Sequence, residues 1–333
     1  MSKSLKLLQA LNDNKKSTID DCLKDKPLKQ WINNRVRIKA ITQLRTTFPA
    51  YLEHSTCLCY AARTNEARIV QKLVQSGADV TVTDSCGWTP LHWACITSID
   101  GKRKVSYLLQ CDPSAVRARD ASGDMPLHKA ALHGRTDVIS ILIQHGADIH
   151  DKGLFGRTPL HCASNKGNVA CIKELVKLGA NLESTDSERG QTPLMLAADF
   201  NHNASVETLI NKFGASINAI DIHGRTALLL AAACGYLDIV KTLTANPKCD
   251  HNKADNNGRT ALDHAKRKGH SAVVEWLEYL ALPVETGGAN LTQEQASVTG
   301  GEASGTEVQA PSVTPAMPKE KNITDGDKVF GNF

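Results

Sequence analysis

Aromatic residues are scarce, at 5% of the 333-residue chain, so a core built mainly on Phe, Tyr and Trp is excluded. Whatever packs here packs through Ala, Leu, Val and Ile, which a hydrophobic content of 41% supplies. Long apolar runs are absent too. The longest, Ala227 to Cys234, falls far short of the roughly 20 residues that cross a bilayer, and the first residues hold no run of signal-peptide type. No Gly-rich phosphate loop, His-Glu-x-x-His pair or Gly-x-Ser-x-Gly elbow occurs. An enzyme is therefore not expected, nor is a cofactor, a metal or a small-molecule substrate.

Charge of one sign is also limited. The net charge is +4, unevenly placed: residues 1–55 hold 11 Lys or Arg against 5 Asp or Glu, and residues 283–333 hold 3 against 7. The middle of the chain is thus nearly neutral, which gives no basis for a nucleic-acid surface there. Cysteine is present in quantity, ten residues in all, but scattered. Cys57-x-Cys59 lacks a second pair at zinc spacing, and Cys95, Cys162 and Cys171 stand where small apolar residues fit. They read as reduced thiols of a protein in the cytoplasm or nucleus.

What the chain does have is repetition. In Thr158-Pro159-Leu160-His161-Cys162-Ala163, Thr158 suits a helix N-cap and Pro159 the first helical position, where no amide donor is needed. Gly167 supplies the positive φ that stops a short helix, and Ile172, Leu175 and Val176 recur as one face of a second. Gly179 then fits a left-handed cap, and Asp186 with Gly190 reads as a turn back to Thr192. The same frame starts at Thr56, Thr89, Met125, Thr158, Thr192, Thr226 and Thr260, in steps of 33, 36, 33, 34, 34 and 34 residues. Heads such as Thr89-Pro90-Leu91-His92 and Met125-Pro126-Leu127-His128 make the chain similar to the ankyrin-repeat family, whose period is about 33.

That resemblance implies an all-α solenoid of stacked helix-turn-helix units joined by β-turn or hairpin loops, with about seven repeats over residues 56–282. Residues 1–55 are expected to be a helical cap. Within them, residues 4–23 suit a degenerate repeat, with Asn14 at its turn, and residues 27–44 suit a basic amphipathic helix. Residues 283–333, rich in Gly, Ser, Thr, Pro and Glu, are expected to form a disordered tail. Repeat two, three residues longer, carries Asp100-Gly101-Lys102 between its helices and Cys111-Asp112-Pro113 in place of a glycine cap, so irregularity is expected there. Asn65 stands where glycine ends the other first helices and is expected to adopt the same left-handed conformation. The heads' His92, His128 and His161 are, by the resemblance, scaffold residues; repeats with Leu229 or Asp263 at that position should be locally weaker.

The family's concave face, made of turn tips and first-helix ends, typically binds protein. Carried onto this sequence, it places Trp88, Ile96, Leu132, Phe155 and Phe200 in an apolar strip flanked by Arg157, Arg225 and Arg259. The expectation is a monomeric interaction scaffold, an adaptor or regulator holding one or more intracellular proteins along that strip. The alternative is recruitment to anionic membrane or nucleic acid through the basic segment 24–45.

Overall fold

The computed structural model describes residues 3–24 and 56–281. The basic segment beyond Lys24 and the expected tail lie outside the described residues. Sixteen α-helices and no strand occur among the described residues. The first helices of the units are α1 (Lys3–Asn12), α3 (Cys57–Thr64), α5 (Pro90–Ile96), α7 (Pro126–Leu132), α9 (Pro159–Asn165), α11 (Pro193–Asp199), α13 (Ala227–Cys234) and α15 (Ala261–Lys268). Each is followed by its second helix: α2 (Lys16–Leu23), α4 (Ala67–Gln75), α6 (Gly101–Cys111), α8 (Thr136–Gln144), α10 (Val169–Lys177), α12 (Asn203–Glu207), α14 (Leu237–Thr244) and α16 (Ser271–Ala281).

Helices this short do not hold together alone, so the stack must supply the stability. Each first helix packs on the next, from α1 on α3 through to α13 on α15, and the second helices from α4 to α16 form a parallel row behind them. The threonine heads start the first helices: the hydroxyls of Thr56, Thr192 and Thr226 accept the amides of Cys59, Met195 and Leu229. One leucine per head, Leu58, Leu91, Leu127, Leu160, Leu194 and Leu228, is at most 1% exposed. Burial of each contributes about 2 kcal/mol. Buried alanines such as Ala94, Ala130, Ala163, Ala197 and Ala231 let neighbouring first helices approach, which is how the chain packs with few aromatics.

Residues 3–24 form a helix pair whose turn passes through Asn14 at φ +49°. Leu7, Leu8, Leu11 and Ile19 are buried, and α1 packs on α3. The expectation for Asn65 needs correction. Its φ is −107°, an extended conformation, because its side-chain amide is drawn across to donate to the carbonyl of Leu11 at 3.1 Å.

Such cross-repeat donors recur where second helices begin. Asn168 donates to the carbonyls of Ala131 and Leu132, both at 2.9 Å, while the Nε2 atoms of His202 and His270 reach those of Asn165 and Ala233. In repeat two the donor is Lys104, wholly buried, with Nζ 2.6 Å from the Ala62 carbonyl and 2.9 Å from that of Asn65. Burial pulls its pKa down to about 8, and the carbonyls at the end of α3 are the partners that hold its charge.

Repeat two is irregular where its length predicts. Asp100 takes φ +50°, and Asp112 caps a 3-10 turn at Pro113–Arg117 through the Ser114 amide. Repeat five hides its extra residue differently. Behind α12 the chain makes a π turn, Thr208–Lys212, before Gly214, so the insertion is absorbed inside the helix and not in a loop.

Candidate functional site

The turns that lead from one repeat to the next share a design. An aspartate five or six residues before the next helix cap offers one carboxylate oxygen to two backbone amides of its own turn. Asp84 accepts from Cys86 and Trp88, Asp120 from Ser122 and Asp124, Asp186 from Arg189 and Gln191, Asp221 from His223 and Arg225, and Asp255 from Asn257 and Arg259. The other oxygen takes a side chain: Trp93 Nε1 on Asp84 at 2.8 Å, Lys129 on Asp120 at 2.8 Å, Arg225 on Asp221 at 2.7 Å and His264 on Asp255 at 2.9 Å. Asp186 is the exception, with Arg157 Nε 3.7 Å from its second oxygen.

The turn before Thr158 breaks the pattern, because Gly153 stands in the aspartate's place. Asp124 fills the gap from the preceding turn, its Oδ1 accepting the Leu154 amide at 2.8 Å. A Cβ at Gly153 would sit 2.1 Å from that oxygen, so glycine is required there. Asp124 also pairs with Lys129 at 2.8 Å, and Asp120, Asp124 and Lys129 form one buried cluster. Lys129 and the hydrogen bonds hold the Asp124 carboxyl below its usual pKa against the opposing effect of burial. The substituted turn carries Phe155 at φ +58°, a conformation that costs a bulky residue on the order of 1–3 kcal/mol, and leaves it 48% exposed.

Successive turn tips are tied together. Cys86 accepts from the Ala121 amide, Phe155 from Ser187, Arg189 from Ile222, and His223 from Asn256. Around the fourth and fifth turns, ion pairs run from Arg157 to Glu188, from Glu188 to Arg189, and from Arg189 to Asp199, with the Arg157 guanidinium 5.2 Å over the Phe155 ring. This network links the tips bearing Leu154, Phe155 and Ile222 to Asp199 at the end of α11, whose neighbour in sequence, Phe200, is 48% exposed.

The sequence-expected strip therefore divides. Phe155 and Phe200 are open. Trp88, Ile96 and Leu132 are half-buried against the core, with the Trp88 ring tilted 48° against that of Trp93, centroids 4.6 Å apart. Arg225 is held by its turn carboxylate, Arg157 lies 3.7 Å from Asp186 and 3.6 Å from Glu188, and Arg259 is exposed. The expectation overlooked Lys129 and Gly153 and placed Asp124 on the concave face without assigning it to the strip; the missing aspartate at position 153 of an otherwise regular series was the available signal.

The head histidines are bound into the scaffold. Nδ1 of His92, His128 and His161 accepts the amide of the cap residue three before it, at 3.1 to 3.2 Å. Their Nε2 atoms face the carbonyls of Asp124, Arg157 and Gln191, each just ahead of the next head. This is the neutral Nε2–H tautomer, and burial pulls the pKa values of His92 and His161 down to about 4. Cys59, at the same position, sets its thiol 3.8 Å from the Trp88 carbonyl. No disulfide occurs among the described residues, no helix among them is long and apolar enough to cross a membrane, and no group of three or more potential metal ligands occurs among them.

Comparison with known proteins agrees with this geometry. A family model described as ankyrin repeats (3 copies) matches residues 58–153, 149–221 and 218–282. A putative ankyrin repeat protein of fowlpox virus is 34% identical, over 36% of this chain and 82% of its own length. The bovine ankyrin repeat and SOCS box protein 3 is 31% identical, over 41% of this chain and 33% of its own. The neurogenic locus notch homolog protein 1 of Xenopus tropicalis is 35% identical, over 40% of this chain and 5% of its own. The chain thus spans about a third of the bovine protein and a small fraction of the frog one.

Proposed function

The chain belongs to the ankyrin-repeat family, whose repeats generally mediate protein–protein interaction, and on that premise we propose that it is a non-enzymatic adaptor or regulator that binds a partner protein on the face formed by turn tips and first-helix ends. The observation that carries the reading is the exposure of large apolar side chains there: Leu154 at 38%, Phe155 and Phe200 at 48% and Ile222 at 61%. A solenoid gains nothing for its own stability by leaving these in water, whereas contiguous apolar surface rimmed by charge is what partners bury. The strained Phe155 adds to this, since the backbone works against its conformation and the ring is nevertheless turned outward. Arg157 over that ring and Arg189 beside Phe200 supply the polar rim. Ten reduced thiols suit a cytoplasmic or nuclear setting, and the protein acts as a monomer.

The test is affinity capture from cell extract with the immobilised full chain and with its Phe155→Ser, Phe200→Ser variant. Loss of the specifically captured proteins, with an unchanged far-ultraviolet circular dichroism spectrum, is the expected result. An unaltered set of captured proteins would remove this face from consideration.

A further inference from the structure

We infer that the turn tip between repeats four and five is a docking point for a basic polypeptide segment, one that sets a Lys or Arg between large apolar side chains; this names the partner chemistry of the face proposed above and rests on that reading. In four of the five aspartate turns the second carboxylate oxygen has a donor at 2.7 to 2.9 Å, from Trp93, Lys129, Arg225 or His264. In the fifth, Leu196 stands where Trp93, Lys129 and His264 stand in their own helices, four residues after the cap, and it has no donor to give. Asp186 Oδ2 is buried without a hydrogen-bond partner, and so is Arg157 Nε, 3.7 Å away. The same guanidinium stands 3.6 Å from Glu188, divided between two carboxylates and hydrogen-bonded to neither. Three carboxylates, those of Asp186, Glu188 and Asp199, thus share the two guanidiniums of Arg157 and Arg189 across 3.6 to 4.0 Å. The Cys234 thiol, 3.9 Å from Asp199, adds no charge, since burial raises its pKa.

Loose ion pairs on an exposed surface need no partner, and Arg189 with Glu188 is of that ordinary kind. Asp186 is not. Its side chain is wholly out of solvent, where a carboxylate oxygen without a donor is costly. A cation arriving at Glu188, the most exposed of the three carboxylates, supplies the missing charge and frees Arg157 to close the remaining distance to Asp186. The fifth turn then matches the other four. The surroundings fix the rest of the complement. Ser187 donates its amide to the Phe155 carbonyl at 2.8 Å, and the Arg189 carbonyl accepts the Ile222 amide at 3.0 Å, so Glu188 sits between two tips whose large apolar side chains are exposed. An acidic segment or a phosphate backbone would meet an excess of carboxylates here. Both points favour a basic polypeptide.

The experiment uses the full chain at physiological salt and fluorescence anisotropy of three labelled peptides of equal length, repeating Lys-Ser-Leu-Leu, Gln-Ser-Leu-Leu or Glu-Ser-Leu-Leu. The lysine peptide is expected to bind roughly tenfold more tightly than the glutamine peptide, and the glutamate peptide to bind most weakly, against the chain's net charge of +4. Glu188→Gln should bring the lysine and glutamine peptides within about twofold of each other at unchanged circular dichroism. Glu275→Gln, the same change on the exposed side of α16, should leave the preference intact. By nuclear magnetic resonance the Arg157 Nε–H signal, assigned by its loss in Arg157→Lys, should exchange more slowly with water once the lysine peptide is bound. Equal binding of the three peptides, no binding of the lysine peptide, a preference that survives Glu188→Gln, or Nε–H exchange unchanged at saturation would each overturn the inference. Equal binding that disappears in the Phe155→Ser, Phe200→Ser variant would overturn the charge preference and leave the face itself standing, so the two readings fail separately.

Discussion

Repeats two to four and repeats five to six are built on the same frame but hold together by different means. In the first group each head histidine closes its own cap and reaches the carbonyl just before the next head, so consecutive repeats are joined by polar bonds inside the stack. In the second group Met195 and Leu229 occupy that position, the threonine caps keep only their own hydroxyl bond, and apolar packing does the joining. Buried polar links demand complete partners and specific protonation states, whereas apolar links tolerate both acid and substitution.

Lys129→Met should open the widest gap between the two groups. It removes the cation shared by Asp120 and Asp124, whose pairing with Lys129 is buried, and strands two carboxylates, at a cost of about 3–5 kcal/mol in urea unfolding. Arg225→Met removes a partly exposed cation from buried Asp221, which keeps its two turn amides, and should cost less, about 1–2 kcal/mol. Equal losses would show that the polar links of the first group carry no special weight.

Acid should separate the groups next. His92 and His161 have folded pKa values of about 4 against about 6.5 unfolded. The unfolded chain therefore takes up protons first as pH falls. Their stabilising effect is complete above about 6.5 and is lost on the way down to about 4, on the order of 2 kcal/mol per histidine by pH 5. Hydrogen exchange at pH 7 and pH 5, corrected for intrinsic rates, should show repeats two to four losing protection ahead of repeats five and six. Uniform loss along the stack would contradict the assignment.

The smallest effect is a gain. Leu229→His should reproduce the missing link by reaching the carbonyl of Arg259, which precedes Thr260, and stabilise repeat six by about 1 kcal/mol. A destabilised variant, read by thermal unfolding, would mean that the neighbouring repeat has settled too closely on the leucine to admit the ring.

Much of this could be read from the chain. The spacing of Thr56, Thr89, Thr158, Thr192, Thr226 and Thr260 marks the first-helix starts because a cap and its helix are local chemistry, decided within four residues. Glycines such as Gly167 and Gly179 mark the stops for the same reason, with φ values of +69° and +98°. Asn65 was misjudged because its conformation answers to the carbonyl of Leu11, more than fifty residues away. The exposure of the expected strip was legible only in part. Trp88 and Phe155 look alike as aromatic residues near a turn, yet one is packed against the Trp93 ring and the other turned out to solvent.

By itself the sequence determined the repeating unit, since capping, turning and helical periodicity act over a few residues and recur with each copy. Only the tertiary structure decided which charges are free and which rings are open. Asp124 reaching into the vacancy at Gly153 and Lys129 held between two carboxylates both depend on side chains brought together by the fold. Long-range electrostatics and burial are properties of that assembled surface, and no window of consecutive residues contains them.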